Sequence, residues 1–197
     1  MLTNKNIIKA KLYPPKLPND FVIRKEINKE LEERKDSSIF LFSAPSGYGK
    51  SSSVVNWLQS SEVEYCWVSI DKNDNELKVF IKYIILAIQS VSPKFGMEIE
   101  QVIESNQDTS LNDYQILFSN AVTTLEKEVY LVLDDYHIIT NNEIHDLLIY
   151  LFKYPQHKLH LVMTSRIDPP FPFSKWRMKN KVSVGCRHLE RCGTVLV

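Results

Sequence analysis

The chain is short of cysteine, of any charge excess and of long apolar runs, and each shortage closes a class of function. Its three cysteines, Cys66, Cys186 and Cys192, cannot build a disulfide framework in 197 residues, so a reducing cytoplasm is the expected compartment. Lysine and arginine number 24 and so do aspartate and glutamate, which leaves no net field to draw the chain to nucleic acid or to an anionic membrane. Apolar runs such as IILAI (84–88) are far too short to span a bilayer, and the opening MLTNKNIIKAK lacks the apolar core of a signal peptide. No internal repeat or low-complexity tract is present. Arginine is missing from the whole of residues 39–165.

What is present is an ordinary globular composition, 44% hydrophobic and 24% charged, long enough for one domain with a sizeable core. Four short runs rich in β-branched and aromatic residues, IFLFSA (39–44), CWVSI (66–70), VYLVLD (129–134) and LHLVMTS (159–165), predict strands covered on both faces. Helical spacing separates them. Leu77, Phe80, Ile81, Ile84, Ile85 and Ile88 form one stripe; Leu111, Tyr114, Leu117, Phe118, Ala121, Val122 and Leu125 form another; Ile144, Leu147, Leu148, Leu151 and Phe152 form a third. Capping boxes are expected at Ser110-x-x-Asp113 and Thr140-x-x-Glu143. The alternation predicts an α/β fold, a parallel sheet with helices on both sides.

The ends read differently. Residues 1–20, with three prolines in KLYPPKLPND (11–20), predict an extended arm, followed by a helix with Ile23, Ile27 and Leu31 as its buried stripe. The principal domain is expected over 21–180, and 181–197 is expected to be irregular, with only weak strand signals in VSVGCRHLERCGTVLV.

The first strand runs straight into APSGYGKSSS (44–53), with a helix expected from about Lys50 to Gln59. Ala44, Gly49, Lys50 and Ser51 match the phosphate-loop pattern in the strand–turn–helix context it requires. Ala44 permits a sharp turn off the strand, Gly47 can take positive φ, and Gly49 lets backbone approach a phosphate without a Cβ between. Pro45, Ser46, Gly47, Tyr48, Gly49, Lys50, Ser51 and Ser52 are therefore the expected phosphate cradle. Lys50 is placed for the β- and γ-phosphates of ATP, and the Ser51 hydroxyl for Mg²⁺.

In an open parallel sheet, ligands lie beyond the carboxyl ends of the strands. The phosphate loop, Asp71, the doublet Asp134–Asp135 and Arg166 all fall at such ends. Asp134 is the expected Mg²⁺ acid, Asp135 the acid that orients or deprotonates water, and Arg166 the sensor of the γ-phosphate; the bland alternatives are a turn carboxylate and a surface arginine. Asp71 reads as a turn or cap, and His137 as a packed structural residue rather than a catalytic one. Cys186, His188 and Cys192 lack zinc spacing, and His157 and His160 read as polar surface.

Taken together, KLYPP (11–15), FVIR (21–24), SAPSGYGKSS (43–52), WVSIDKNDN (67–75), LVLDDYHII (131–139) and TSRIDPPFP (164–172) resemble, in order, the boxes of MalT-type regulators, the large ATP-binding LuxR group within the STAND class of P-loop ATPases. The resemblance covers about residues 10 to 175. It implies a P-loop three-layer sandwich in which strand 159–165 lies between the phosphate-loop strand and the doublet strand, and it adds Val22 and Arg24 on the adenine side of ATP or ADP. It also implies a slow, Mg²⁺-dependent nucleotide switch, self-association in the ATP form, no membrane partner, and DNA contact only through domains outside these residues. The expectation is therefore an isolated nucleotide-switch module, possible as a truncated or frame-shifted piece of a longer regulator. A stand-alone small-molecule kinase would need a lid bearing arginines, which the arginine-free 39–165 does not supply. A non-catalytic nucleotide scaffold is the third reading.

Overall fold

The computed structural model describes residues 7–17, 25–34, 36–105, 108–154, 158–178 and 182–183. Five strands, β1 (Ile39–Ser43), β2 (Tyr65–Ser69), β3 (Val129–Asp134), β4 (Leu159–Ser165) and β5 (Val182–Ser183), form one sheet in the order β2-β3-β4-β1-β5. Every pairing is parallel. The expected neighbourhood is present, with β4 between the phosphate-loop strand and the doublet strand. β5 pairs with Ile39 and Phe40 of β1, inside the segment expected to be irregular. This short pairing falls on the first of the two weak strand signals in that segment.

Among the described residues seven α-helices cover the sheet: α1 (Lys25–Glu32), α2 (Lys50–Ser60), α3 (Leu77–Gln89), α4 (Met97–Glu104), α5 (Leu111–Thr123), α6 (Asn142–Leu151) and α7 (Phe173–Met178). Successive strand residues point to opposite faces, and the core divides accordingly. Ile39 and Leu41 of β1, Leu131 and Leu133 of β3 and Leu161 and Met163 of β4 pack beneath α3 to α7. Phe40, Phe42, Tyr130, Val132 and Val162 face the other way, against Leu31 of α1 and Val54, Trp57 and Leu58 of α2. Trp57 lies 4.8 Å from Phe40 and edge-on to Tyr130 at 5.8 Å, the tilted contacts that ring quadrupoles favour. Ile23 lies outside the described residues.

Some local expectations change. Ser110 and Asp113 do form the reciprocal box that opens α5, but α6 is capped by Asn141, whose side chain accepts from the Glu143 N–H. Thr140 stands one residue too early because its N–H is taken by Asn75 Oδ1 at 2.7 Å. His160 is buried, not surface. It stacks on Tyr130 at 4.4 Å, and its Nδ1 meets Ser37 O at 2.9 Å.

The N-terminal arm is extended only in part. Lys9–Leu12 is a single 3-10 turn that buries Lys11. Its Nζ lies 2.6 Å from Asp74 Oδ1 and 3.2 Å from Asp71 Oδ2, and sits 4.3 Å over the ring of Tyr83. Asp74 is 1% exposed, and that ammonium is the cation packed against it. Removing one partner of such a pair strands the other in low dielectric at a cost of about 3–5 kcal/mol. Lys11→Met is therefore expected to lower unfolding free energy by about that much in urea titration, far more than an exposed lysine would.

Candidate functional site

β1 ends in the loop 44–49, and α2 starts at Lys50. Gly47 has φ 86° and Gly49 φ 69°. A Cβ at Gly47 would meet nothing within 4 Å, so the requirement there is backbone conformation, not space. Gly49 is the N-cap of α2, offers no side-chain cap, and the first turn holds no acidic residue. The partial positive charge of that helix start is thus left for an anion from outside the chain. Pro45, Ser46, Gly47, Tyr48 and Gly49 are exposed, while Ser51 and Ser52 are half-buried. Lys50 is only 7% exposed; its ammonium donates to Ala44 O at 2.8 Å and Pro45 O at 3.0 Å, which aligns it along the inside of the loop.

The sheet register delivers the doublet to this loop. Ser51 Oγ donates to Asp134 Oδ1 at 2.6 Å, and Thr164 Oγ1 donates to the same oxygen at 2.6 Å. Thr164 in turn accepts from the Asp135 N–H at 2.9 Å. Burial raises the Asp134 carboxyl above its ordinary range, against the pull of the Ser51 and Thr164 hydroxyls. Asp135 adds to this rise and the Lys50 charge opposes it. The donor set, one hydroxyl and one carboxylate, is the hard-oxygen chemistry that Mg²⁺ takes. Mg²⁺ takes one or two protein carboxylates and draws most of its other ligands from phosphates and water. The residues fit.

Asp135 has φ 61°, a left-handed conformation that costs a non-glycine residue about 1–3 kcal/mol. It precedes the 3-10 turn Tyr136–Ile138 but makes no capping hydrogen bond with its side chain. Asp135 serves that turn through its backbone, its carbonyl accepting from the Ile138 N–H at 3.1 Å, while its carboxylate is not engaged in a cap. The strain turns its half-exposed carboxylate outward while Tyr136 goes inward, to 1% exposure. The Tyr136 hydroxyl and His145 Nδ1 share a hydrogen bond of 2.8 Å, and the Tyr136 ring lies 5.6 Å from Phe171. Phe171 belongs to the loop that follows Arg166, so one buried ring joins the doublet turn to the arginine loop. Burial pushes the Tyr136 phenol up and the His145 imidazole down, keeping both neutral.

His137 lies beside Asp135. Its Nδ1 is 3.7 Å from Asp135 Oδ1 and has no hydrogen-bond partner. Burial holds its pKa down; Asp135 opposes this, and the charges of Arg166 and Lys50 add to it. Lys50, Asp134, Asp135, His137 and Arg166 therefore share one electrostatic neighbourhood, with Arg166 exposed at the end of β4. Thr164, which bridges the two acids, was not singled out in the sequence; its signals there are its strand-end position and its place at the head of the TSRIDPPFP box. Asp71 is the expected cap, in a reciprocal box with Asp74. Val22, Arg24, Cys186, His188, Cys192 and His157 lie outside the described residues.

Residues 19–166 match the family described as Nephrocystin 3, N-terminal. The chain belongs to that family. It is also 31% identical over 176 residues to the HTH-type transcriptional regulator MalT of Vibrio campbellii, and 28% identical over 176 residues to that of Serratia proteamaculans. These alignments cover 88% and 89% of this chain and 19% of each relative, so the chain spans about a fifth of their length. The resemblance to MalT-type regulators thus stands. Among solved structures, a signal transduction ATPase with numerous domains and a tetratricopeptide repeat sensor from Pyrococcus horikoshii superposes with a TM-score of 0.56 at 15% identity, covering 87% of this chain and 24% of that one. CDC6p from Pyrobaculum aerophilum gives 0.56 at 16%, covering 91% and 49%. At such identities the likeness shows the fold, a P-loop three-layer sandwich with a parallel sheet. The phosphate-loop motif at 44–51 and the superpositions agree on that fold. No helix among the described residues is long and apolar enough to cross a membrane.

Proposed function

We propose that the chain is an ATP- and ADP-binding switch module of a transcription regulator, with slow Mg²⁺-dependent hydrolysis. The observation that carries this reading is the Ser51–Asp134–Thr164–Asp135 chain of hydrogen bonds, which ties the phosphate loop to both acids. The loop 44–52 and the uncapped start of α2 take the phosphates, and Lys50 supplies the buried positive charge against them. Ser51 and Asp134 are the protein ligands for Mg²⁺, which when bound neutralises phosphate charge. Asp135 accepts the proton of the attacking water, its carboxylate free of capping duty. His137, held neutral beside it, limits how that carboxylate can turn. Arg166 reaches the γ-phosphate, and Val22 and Arg24 serve the adenine side.

The regulator context rests on the MalT relatives, and with it go nucleotide-dependent self-association and DNA contact through segments other than these residues. The test is a time course of the purified chain with Mg²⁺-ATP and no added acceptor. ADP and phosphate should appear in equal amounts at a rate on the order of 0.01 s⁻¹ or below, the range of P-loop switches without an added arginine finger. Turnover that begins only when a small-molecule acceptor is supplied would favour a kinase instead.

A further inference from the structure

The box WVSIDKNDN (67–75) starts in β2 and runs into the turn that follows it, and the proposed chemistry uses none of it. The turn it forms nevertheless runs alongside the turn that follows β3 and is bonded to it at both ends. At the near end Ser69 pairs in register with Asp134, and the Ile70 N–H donates to Asp134 O at 3.0 Å. At the far end everything converges on Asn75. Its Nδ2 donates to Ile138 O at 3.0 Å; its Oδ1 accepts from the Thr140 N–H at 2.7 Å, the Thr140 hydroxyl at 3.2 Å and the Asn141 N–H at 3.3 Å; its carbonyl accepts from Asn141 Nδ2 at 2.9 Å. One amide side chain thus closes the segment 134–141, which carries Asp134, Asp135 and His137.

The brace is itself held. Asp71 and Asp74 cap the 3-10 turn Lys72–Asn75 reciprocally, and Lys11 pairs with both carboxylates. The doublet turn needs such support, because Asp135 sits in a left-handed conformation that persists only where surrounding contacts over-determine it. The Asp135 N–H is held by Thr164 on one side, and the return of the chain at 138–141 is held by Asn75 on the other.

We propose that Asn75 is a positioning residue for hydrolysis: it fixes the turn that aims Asp135 and His137, and through Asp74 and Lys11 it ties that turn to the N-terminal arm. This rests on the nucleotide-switch reading above. Misplacing a catalytic group by about 1 Å can cost on the order of 100-fold in rate while substrate binding persists. The phosphate cradle lies on other elements, so binding and turnover should separate.

The test compares the 197-residue chain with its Asn75→Ala, Asn75→Asp and Gln89→Ala variants. Asn75→Asp keeps the acceptor for Thr140 and Asn141 but loses the donor to Ile138 O. Gln89 bonds Phe95 O and Glu100 between α3 and α4, so its alanine variant is a control for general loss of hydrogen bonding. Asn75→Ala should lower kcat by about 10-fold or more with ATP affinity unchanged within about 3-fold. Asn75→Asp should fall between it and the parent, and Gln89→Ala should leave kcat at the parental value. Amide hydrogen exchange of nucleotide-free protein should accelerate across 135–141 in Asn75→Ala and leave Lys50–Ser60 unchanged. Parental exchange at 135–141, or accelerated exchange with parental kcat, would overturn the proposal. A parent chain that neither binds nor hydrolyses ATP would sink the nucleotide reading, and the exchange arm would still decide whether the brace exists.

Discussion

Lys50→Ala is expected to abolish useful ATP and ADP binding while leaving the fold in place. Lys50 is the one cation built into the phosphate loop, buried and aligned by the carbonyls of Ala44 and Pro45. Truncating one member of a buried charge pair at an interface costs about 2–5 kcal/mol, which is roughly 30-fold to several thousand-fold in affinity. Thermal melting reads the effect directly. With nucleotide at about 100 times its Kd, binding to the native state alone adds about 2.7 kcal/mol, or about 5–10 °C for a chain of this size. The parent should show that shift with Mg²⁺-ATP, and at the same nucleotide concentration the variant should keep about a third of it at most, since a 30-fold loss leaves about 0.9 kcal/mol. An unaltered shift in Lys50→Ala would remove the phosphate loop from the binding site.

Asp135→Asn should separate the two acids. Asparagine tolerates the left-handed region about as well as aspartate, so the turn at φ 61° and its bond to Thr164 survive the change. What disappears is the base. Loss of a positioned general base lowers the rate by about 100- to 10,000-fold, and nucleotide affinity should hold because the cradle and Asp134 are untouched. The variant should therefore accumulate in its ATP-bound form. Steady-state phosphate release alongside an equilibrium ATP titration checks both halves. Parental turnover in the variant would return Asp135 to a structural role.

Much of this site is legible in the sequence because its parts are local. A phosphate loop is a contiguous string whose glycines and lysine are dictated by backbone geometry, and the acids and Arg166 sit at the ends of runs that could only be buried strands. The strand neighbourhood of β4 came from family resemblance, since periodicity alone does not order a parallel sheet. What the sequence concealed is non-local. Thr164 looks like any hydroxyl near a strand end until register sets it between Asp134 and Asp135. Lys11 and Asp74 are 63 positions apart, and nothing in a proline-rich arm announces a buried ammonium. Asn75 pulls the cap of α6 from Thr140 to Asn141, an example of tertiary bonding overriding a local capping pattern. His160 read as surface because it stands at a strand start, yet stacking on Tyr130 at 4.4 Å accompanies its burial.

Equilibrium titration of the unmodified chain with ATP, with and without Mg²⁺, bears most directly on the central claim that the phosphate loop and Asp134 form one nucleotide–magnesium site. The account predicts a single saturable site that Mg²⁺ tightens, with the Mg²⁺ increment lost in Asp134→Asn. Absence of saturable binding at millimolar ATP, or a Mg²⁺ effect of parental size in Asp134→Asn, would contradict it.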